Sequence, residues 1–129
     1  MNVDLIKILA VGAGGFIGAS GRYLVSVLAV QQFQNTDIPY GTAIANLLGC
    51  FIIGVLAALF QKYEWGQEEL RLFLFVGMLG GFTTFSTFAH ESFLLWETGE
   101  SLFALLNLGL QIVLGLVLVW LGYMMVRLF

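Results

Sequence analysis

Charge is what this chain has least of: 10% of its 129 residues are charged, as eight acidic and five basic side chains, where a soluble domain carries about 25%. That deficit excludes a conventional water-soluble domain. With 60% hydrophobic residues and a mean hydropathy of +0.96, the composition suits a bilayer as solvent. The basic residues Lys7, Arg22, Lys62, Arg71 and Arg127 form no stripe that could follow a phosphate backbone, which excludes nucleic acid as a partner. Cysteine is equally scarce. Cys50 alone can make neither an intrachain disulfide nor a thiolate cluster and is expected to be a small apolar filler. The single histidine, His90, stands beside Glu91, but no HExxH spacing, nucleophile or second carboxylate accompanies the pair. No enzyme is expected. At roughly 20 residues per span, four spans use about 80 residues and leave no length for a soluble catalytic domain.

What is present is four apolar runs, over about 5–30, 42–60, 70–96 and 102–126, in one domain covering residues 1–129. The expected fold class is an all-α integral membrane protein. Hydrophobicity begins at Leu5 after a thin positive region and continues to the end of the chain, so the first run is expected to be a retained helix and not a cleaved signal peptide. It ends in the polar stretch QQFQNTD, Gln31 to Asp37. The only proline, Pro39, precedes the second run and fits a helix start. That run stops at QKYEWGQEE, Gln61 to Glu69, and the last follows the short WETGES turn. Lys7, Lys62, Arg71 and Arg127 all fall on one side of a four-span arrangement, which places both termini inside.

Small residues mark packing faces. GAGGFIGASGRY, Gly12 to Tyr23, is not a dinucleotide fingerprint, because Ile17 stands where the last glycine belongs and no strand precedes it. Its spacing instead puts Gly14 and Gly18 on one helix face, with Gly15 and Ala19 beside them, for close helix approach. Arg22 extends that face, either as a structural or dimer-stabilising group or to draw anions to a vestibule. Thr42, Asn46, Gly49 and Ile53 share a stripe of the second helix. Asn46 either joins two helices or turns its amide toward a pore.

The third run is the unusual one. RLFLFVGMLG followed by GFTTFSTF places Gly77, Gly80, Gly81, Thr83, Thr84, Ser86 and Thr87 near the bilayer centre. Hydroxyls can satisfy carbonyls of a merely kinked helix, but the glycines favour an interruption near 77–84, tolerated only where it is buried in protein or faces water. Opposed half-helix ends at such a break can hold ions. Phe85 and Phe88, three apart, can present positive ring edges to an anion. Glu91 is expected to cap, accept from backbone or serve a pathway mouth, and His90 to pack or sit at the interface. Asn107 and Gln111 form a polar stripe in the last helix that either lines a pathway or bonds a neighbouring helix.

GGFIGASGRY (Gly14 to Tyr23), GTAIANLLGCFIIG (Gly41 to Gly54) and GMLGGFTTFSTF (Gly77 to Phe88) together resemble the CrcB/Fluc family of fluoride channels over almost the whole chain. The resemblance implies an antiparallel, dual-topology homodimer in the cell membrane, multi-pass and in the bacterial inner membrane. It passes fluoride through two narrow pores and lowers cytoplasmic fluoride. On that resemblance Phe85 and Phe88 take the places of aromatic box residues, Asn46 of the asparagine that orients the box, and Ser86 and Thr87 of the hydroxyls along the track. Gly80 and Thr83 match the positions whose backbone carbonyls, from both subunits, enclose a central structural Na⁺. Arg22 and Glu91 match vestibule or structural positions. Gln111, beside Asn107, replaces the small hydroxyl common in the fourth helix, and the one-sided basic residues depart from strict dual topology. Partners are thus fluoride, a second copy and membrane lipid. Two other classes compete. A small proton-coupled multidrug transporter would need a carboxylate in the first helix, and Val11 to Val30 has none. A noncatalytic membrane assembly subunit would leave TTFSTF unexplained.

Overall fold

The computed structural model describes residues 4–34 and 38–129. The last part of the polar link expected at 31–37 therefore lies outside the described residues. Helix α1 runs over Leu5–Gln32 and α2 over Tyr40–Lys62. The third span, Glu68–Glu97, is composite: α3 (Glu68–Arg71), a π-wound segment (Leu72–Leu79), α4 (Gly80–Phe82) and α5 (Phe85–Glu97). Helix α6 spans Ser101–Leu128. Four helical segments are thus long and apolar enough to cross a membrane, and the chain is a multi-pass membrane protein. A helix of 28 residues, such as α1 or α6, reaches about 42 Å against a hydrocarbon core of about 30 Å.

Local chemistry sets the helix ends. Asp4 caps α1 by accepting the Ile6 N–H at 2.9 Å. At the end of α5 the chain turns through Gly99, whose φ of +86° closes the helix with Glu100 N–H bonding back to the Leu95 carbonyl at 2.8 Å. In the π-wound segment the Gly80 N–H reaches the Phe75 carbonyl, five residues back, so each turn is widened. Thr83 (φ −93°, ψ 156°) and Thr84 (φ −151°, ψ 119°) are extended, and α5 starts again at Phe85. The glycines at 77, 80 and 81 lie in helical turns; the extended residues are the two threonines.

Packing follows two couples. α2 lies along α6, and α1 lies along the π-wound segment and α4. Beyond Thr83 and Thr84 the third span leaves α1, and α5 packs on α6 instead. Glycine makes both couples possible. A methyl group on Gly18 would overlap the Met78 carbonyl and stand 2.8 Å from the Phe82 nitrogen; one on Gly14 would overlap the Phe73 carbonyl. Gly77 and Gly81 return the contact onto the α1 backbone, at the Val11 carbonyl and Gly15 carbonyl respectively. Across the other couple, Gly54 meets Val119 and Gly122 meets Phe51, backbone to backbone. Such approach lets dispersion and weak polar contacts act where no hydrophobic driving force exists between helices.

The interior that results is small. Its buried apolar side chains are Ala29, Ala45, Ala58, Leu79, Phe88, Leu95 and Ala104, while Leu, Ile, Val and Phe cover the outside. The chain exposes 8670 Å², against about 6,800 Å² for a soluble monomer of its mass. Tyr63 and Trp65 stack near the Lys7–Glu68 ion pair, and Lys62 lies over the Tyr63 ring, marking an interfacial belt at the basic end.

The backbone contacts make a specific demand on residue size. Gly122→Val is expected to lower the stability of detergent-solubilised protein by about 1–3 kcal/mol, whereas Gly109→Ala, with open space around it, should be neutral or stabilising by up to about 1 kcal/mol. Thermal unfolding of the two variants checks this; equal effects would remove the packing role of Gly122.

Candidate functional site

Two extended residues between helices leave peptide groups without helical partners, and at membrane depth each such group needs one. Asn46 on α2 supplies them for Thr84. Its Oδ1 accepts the Thr84 N–H at 2.8 Å and its Nδ2 donates to the Thr84 carbonyl at 3.2 Å. The side-chain amide thereby pairs with both backbone groups of one residue, as a neighbouring strand would. The second Nδ2 hydrogen goes to Gln111 Oε1, 2.9 Å away on α6. Both Asn46 donors are therefore engaged within the chain. Gln111 donates in turn to Asn107 Oδ1 (2.7 Å), and Asn107 to Ser92 Oγ on α5 (2.9 Å).

Hydroxyls organise the start of α5. Thr84 is its N-cap: Oγ1 accepts the Thr87 N–H at 3.2 Å, donates to Thr87 Oγ1 at 3.0 Å and lies 3.3 Å from Ser86 Oγ. Thr83 turns the other way. Both its hydroxyl and its N–H bond to the Leu79 carbonyl, each at 2.9 Å, closing α4. Gly49 is required beside it, because a methyl group there would overlap Thr83 Cγ2.

Phe85 and Phe88 have ring centroids 5.8 Å apart with planes tilted by 56°. Phe88 is buried at 6% exposure, whereas Phe85 is 79% exposed. Both line a cleft of about 320 Å³ together with Asn46, Thr83, Thr84 and Gln111. Among the described residues no charged side chain lines it. What the cleft offers is amide, hydroxyl and ring edge.

A second recess, of about 300 Å³, shares Thr84 with the cleft and joins it to Arg22, Thr42, Thr87 and Glu91. Thr42 donates to Glu91 Oε1 at 2.7 Å, and Glu91 Oε2 is buried without a partner among the described residues. Arg22 and Glu91 thus share one recess, although no ion pair joins them among the described residues. The structure brings Asn46, Phe85, Phe88, Ser86, Thr87 and Gln111 around the interruption. Gly14 and Gly18 stand apart, on the α1 packing face, and Gly80 is exposed. His90 is exposed on α5.

Four features escaped the sequence reasoning. Thr84 is the hub of the site, and its signal was the N-cap pattern T-F-S-T at the head of a helical run. Ser92 joins Asn107, and Thr42 reaches Glu91 across 49 residues, which no local spacing announces. Gly54 and Gly122 clasp α2 to α6; Gly54 closes the GTAIANLLGCFIIG run and Gly122 lies in the last apolar run, but no local spacing says that they meet.

Comparison with known proteins follows the same elements. Residues 9–123 match the family model described as CrcB-like protein, Camphor Resistance (CrcB). The chain is 42% identical over 124 residues to a Ruminiclostridium cellulolyticum protein named fluoride-specific ion channel FluC, covering 96% of this chain and 95% of that one. Two similar proteins of the same name are 44% identical in Elusimicrobium minutum (92% of each chain) and 47% identical in Salinibacter ruber (92% of this chain, 87% of the other).

The Asn46–Thr84 pairing has a local signature. Replacing Asn46→Leu leaves the Thr84 peptide unpaired, at about 1–3 kcal/mol per group. Hydrogen exchange in a peptide covering Thr83 to Thr87 should rise at least about tenfold while α2 and α6 stay protected. Unchanged exchange would mean that Asn46 does not hold the interruption.

Proposed function

The chain belongs to the CrcB family, and from that membership and the geometry of the interruption we propose that it is a passive, fluoride-selective ion channel that lets fluoride leave the cytoplasm. The observation that carries this reading is the convergence of Phe85, Phe88, Asn46 and Gln111 on one uncharged cleft beside a break in a membrane helix.

Fluoride is small and strongly hydrated, so a narrow apolar route must replace its water with donors and must not create one trap deep enough to stop exit. Several weak donors in sequence meet that demand better than a buried guanidinium. Gln111 retains one amide hydrogen beyond its bond to Asn107. The Ser86 and Thr87 hydroxyls continue the polar surface on the α5 side. Phe85 and Phe88 contribute ring edges, whose positive quadrupole end suits an anion. Asn46, with both donors engaged, serves the pathway by holding Thr84 in place. Arg22, in the recess with Glu91, raises anion concentration at the mouth.

The functional unit is an antiparallel, dual-topology homodimer in the bacterial inner membrane, with two pores. Phe85 at 79% exposure and the large accessible surface of the single subunit support a second copy against this face. Gly80 and Thr83 would hold a central Na⁺ through backbone carbonyls. The fit rests on their chemistry: Gly80 is exposed, and the extended Thr83 (ψ 156°) turns its carbonyl out of the helical ladder. Neutral oxygens suit a hard monovalent cation, which would supply fixed positive potential and tie two subunits together.

The test is ion efflux from sealed liposomes holding purified protein, comparing fluoride with chloride after a potassium ionophore is added. Rapid, voltage-driven, fluoride-selective loss without a proton requirement is expected. No fluoride loss from folded, inserted dimers would overturn the proposal. Phe85→Ile and Phe88→Ile should each lower throughput by about tenfold or more with the dimer intact on size-exclusion chromatography; an unchanged rate removes that residue from the pathway.

A further inference from the structure

The hydrogen bonds around Asn46 run in one direction. Thr84 N–H donates to Asn46, Asn46 to Gln111, Gln111 to Asn107, Asn107 to Ser92, and Ser92 Oγ to the Phe88 carbonyl at 2.8 Å. The chain of bonds starts on a group that can only donate, a backbone N–H, and ends on one that can only accept, a backbone carbonyl. Every carboxamide between them has its orientation fixed by its neighbours. Rotating Asn46 by a half-turn would set N–H against N–H and oxygen against oxygen at Thr84, and would break its bond to Gln111. No member can flip unless all do, and the two backbone ends forbid that.

We propose that Gln111, Asn107 and Ser92 are positioning residues that act as one relay to hold the Asn46 carboxamide, and through it the interruption at Thr84, in the conducting arrangement. The proposal rests on the channel reading above and adds to it residues that do not line the cleft. Ser92 and Asn107 lie outside the cleft wall, which Gln111 shares with Phe85 and Phe88. Ser92 and Gln111 are buried, at 5% and 9% exposure, so a lost partner is not replaced by bulk water and the loss is passed along the chain. The relay also fastens two points of α5, its start and the turn beyond. Thr84 caps the start of α5 and Ser92 bonds the Phe88 carbonyl one turn further on, so the Phe85–Phe88 pair lies between two points referred to α6. The fixed direction matters for an anion. Gln111 accepts from Asn46 with its oxygen, so its amide nitrogen keeps a hydrogen for the pathway and its oxygen is satisfied within the protein.

The experiment compares Ser92→Ala, Ser92→Thr, Asn107→Leu and Gln111→Leu, alone and as Ser92→Ala combined with Gln111→Leu, in full-length protein reconstituted in liposomes. Ser92→Ala and Asn107→Leu are expected to lower fluoride throughput by about tenfold, and both should speed exchange of the Thr84 amide, several bonds away. Ser92→Thr keeps the hydroxyl and should conduct within about twofold of the parent. In the Gln111→Leu background, Ser92→Ala should add less than about twofold, because the relay is already cut between it and Asn46. Throughput and Thr84 exchange at parental values in Ser92→Ala and Asn107→Leu would overturn the relay, as would independent, multiplying losses in the double variant. A parent protein that is folded and inserted yet conducts no fluoride would instead overturn the channel reading, while Thr84 exchange in the same variants still decides the relay.

Discussion

The architecture depends on how the backbone of one residue is satisfied away from water. An extended pair of residues inside a membrane helix exposes N–H and C=O groups that lipid cannot serve, and Asn46 answers both at Thr84 with a single side chain. Much else follows from placing that side chain. α2 has to lie close enough to the interruption for a short Asn to reach it, which Gly49 permits by leaving room for Thr83. α6 has to present an acceptor for the remaining amide hydrogen, and Gln111 is long enough to do so. The polar residues of three spans thus meet because the two backbone groups of Thr84 required partners.

Lipid as solvent explains why so little of the protein is a core in the soluble sense. Buried apolar side chains are mostly alanine, and bulky ones face outward. Cohesion comes from backbones brought together at Gly14, Gly18, Gly77 and Gly81 on one side and at Gly54 and Gly122 on the other. Glycine loses helix propensity at these positions, by about 1 kcal/mol each relative to alanine, and the bilayer offsets much of this because an unpaired peptide in hydrocarbon is worse than a helix of any sequence. Of the charged groups, Lys7 and Glu68 pair at the start of the first and third spans, whereas Arg22 and Glu91 share a recess farther along them.

The number of membrane-length helices was legible because apolar run length is a one-dimensional signal. Helix ends differed by one or two residues, since caps such as Asp4 and the turn at Gly99 are decided by single side chains and dihedral angles. At the third span, composition pointed to 77–84 as a region, but not to the two residues that are extended. The glycines there serve close packing on α1 while Thr83 and Thr84 leave the helix. Asn46 and Gln111 stood out as amides in apolar sequence, yet their bond spans 65 residues, and pairings of that range depend on how helices stack. Local spacing gave Asn107 and Gln111 one face; it could not say that Ser92 and Asn46 would stand at either end of them.

The change of neighbour at Thr83 and Thr84 has a consequence for how the protein is made. The first half of the third span packs on α1, which is synthesised before it, whereas α5 packs on α6, which is synthesised after it. Until α6 emerges, Asn46 has no Gln111, Ser92 has no Asn107, and α5 lacks the helix that supports it. The cleft beside Phe85 and Phe88 is completed only when α6 enters the bilayer. A nascent chain halted before Gln111 is therefore an unfinished wall and not a narrower version of the site, which ties assembly of the site to synthesis of α6.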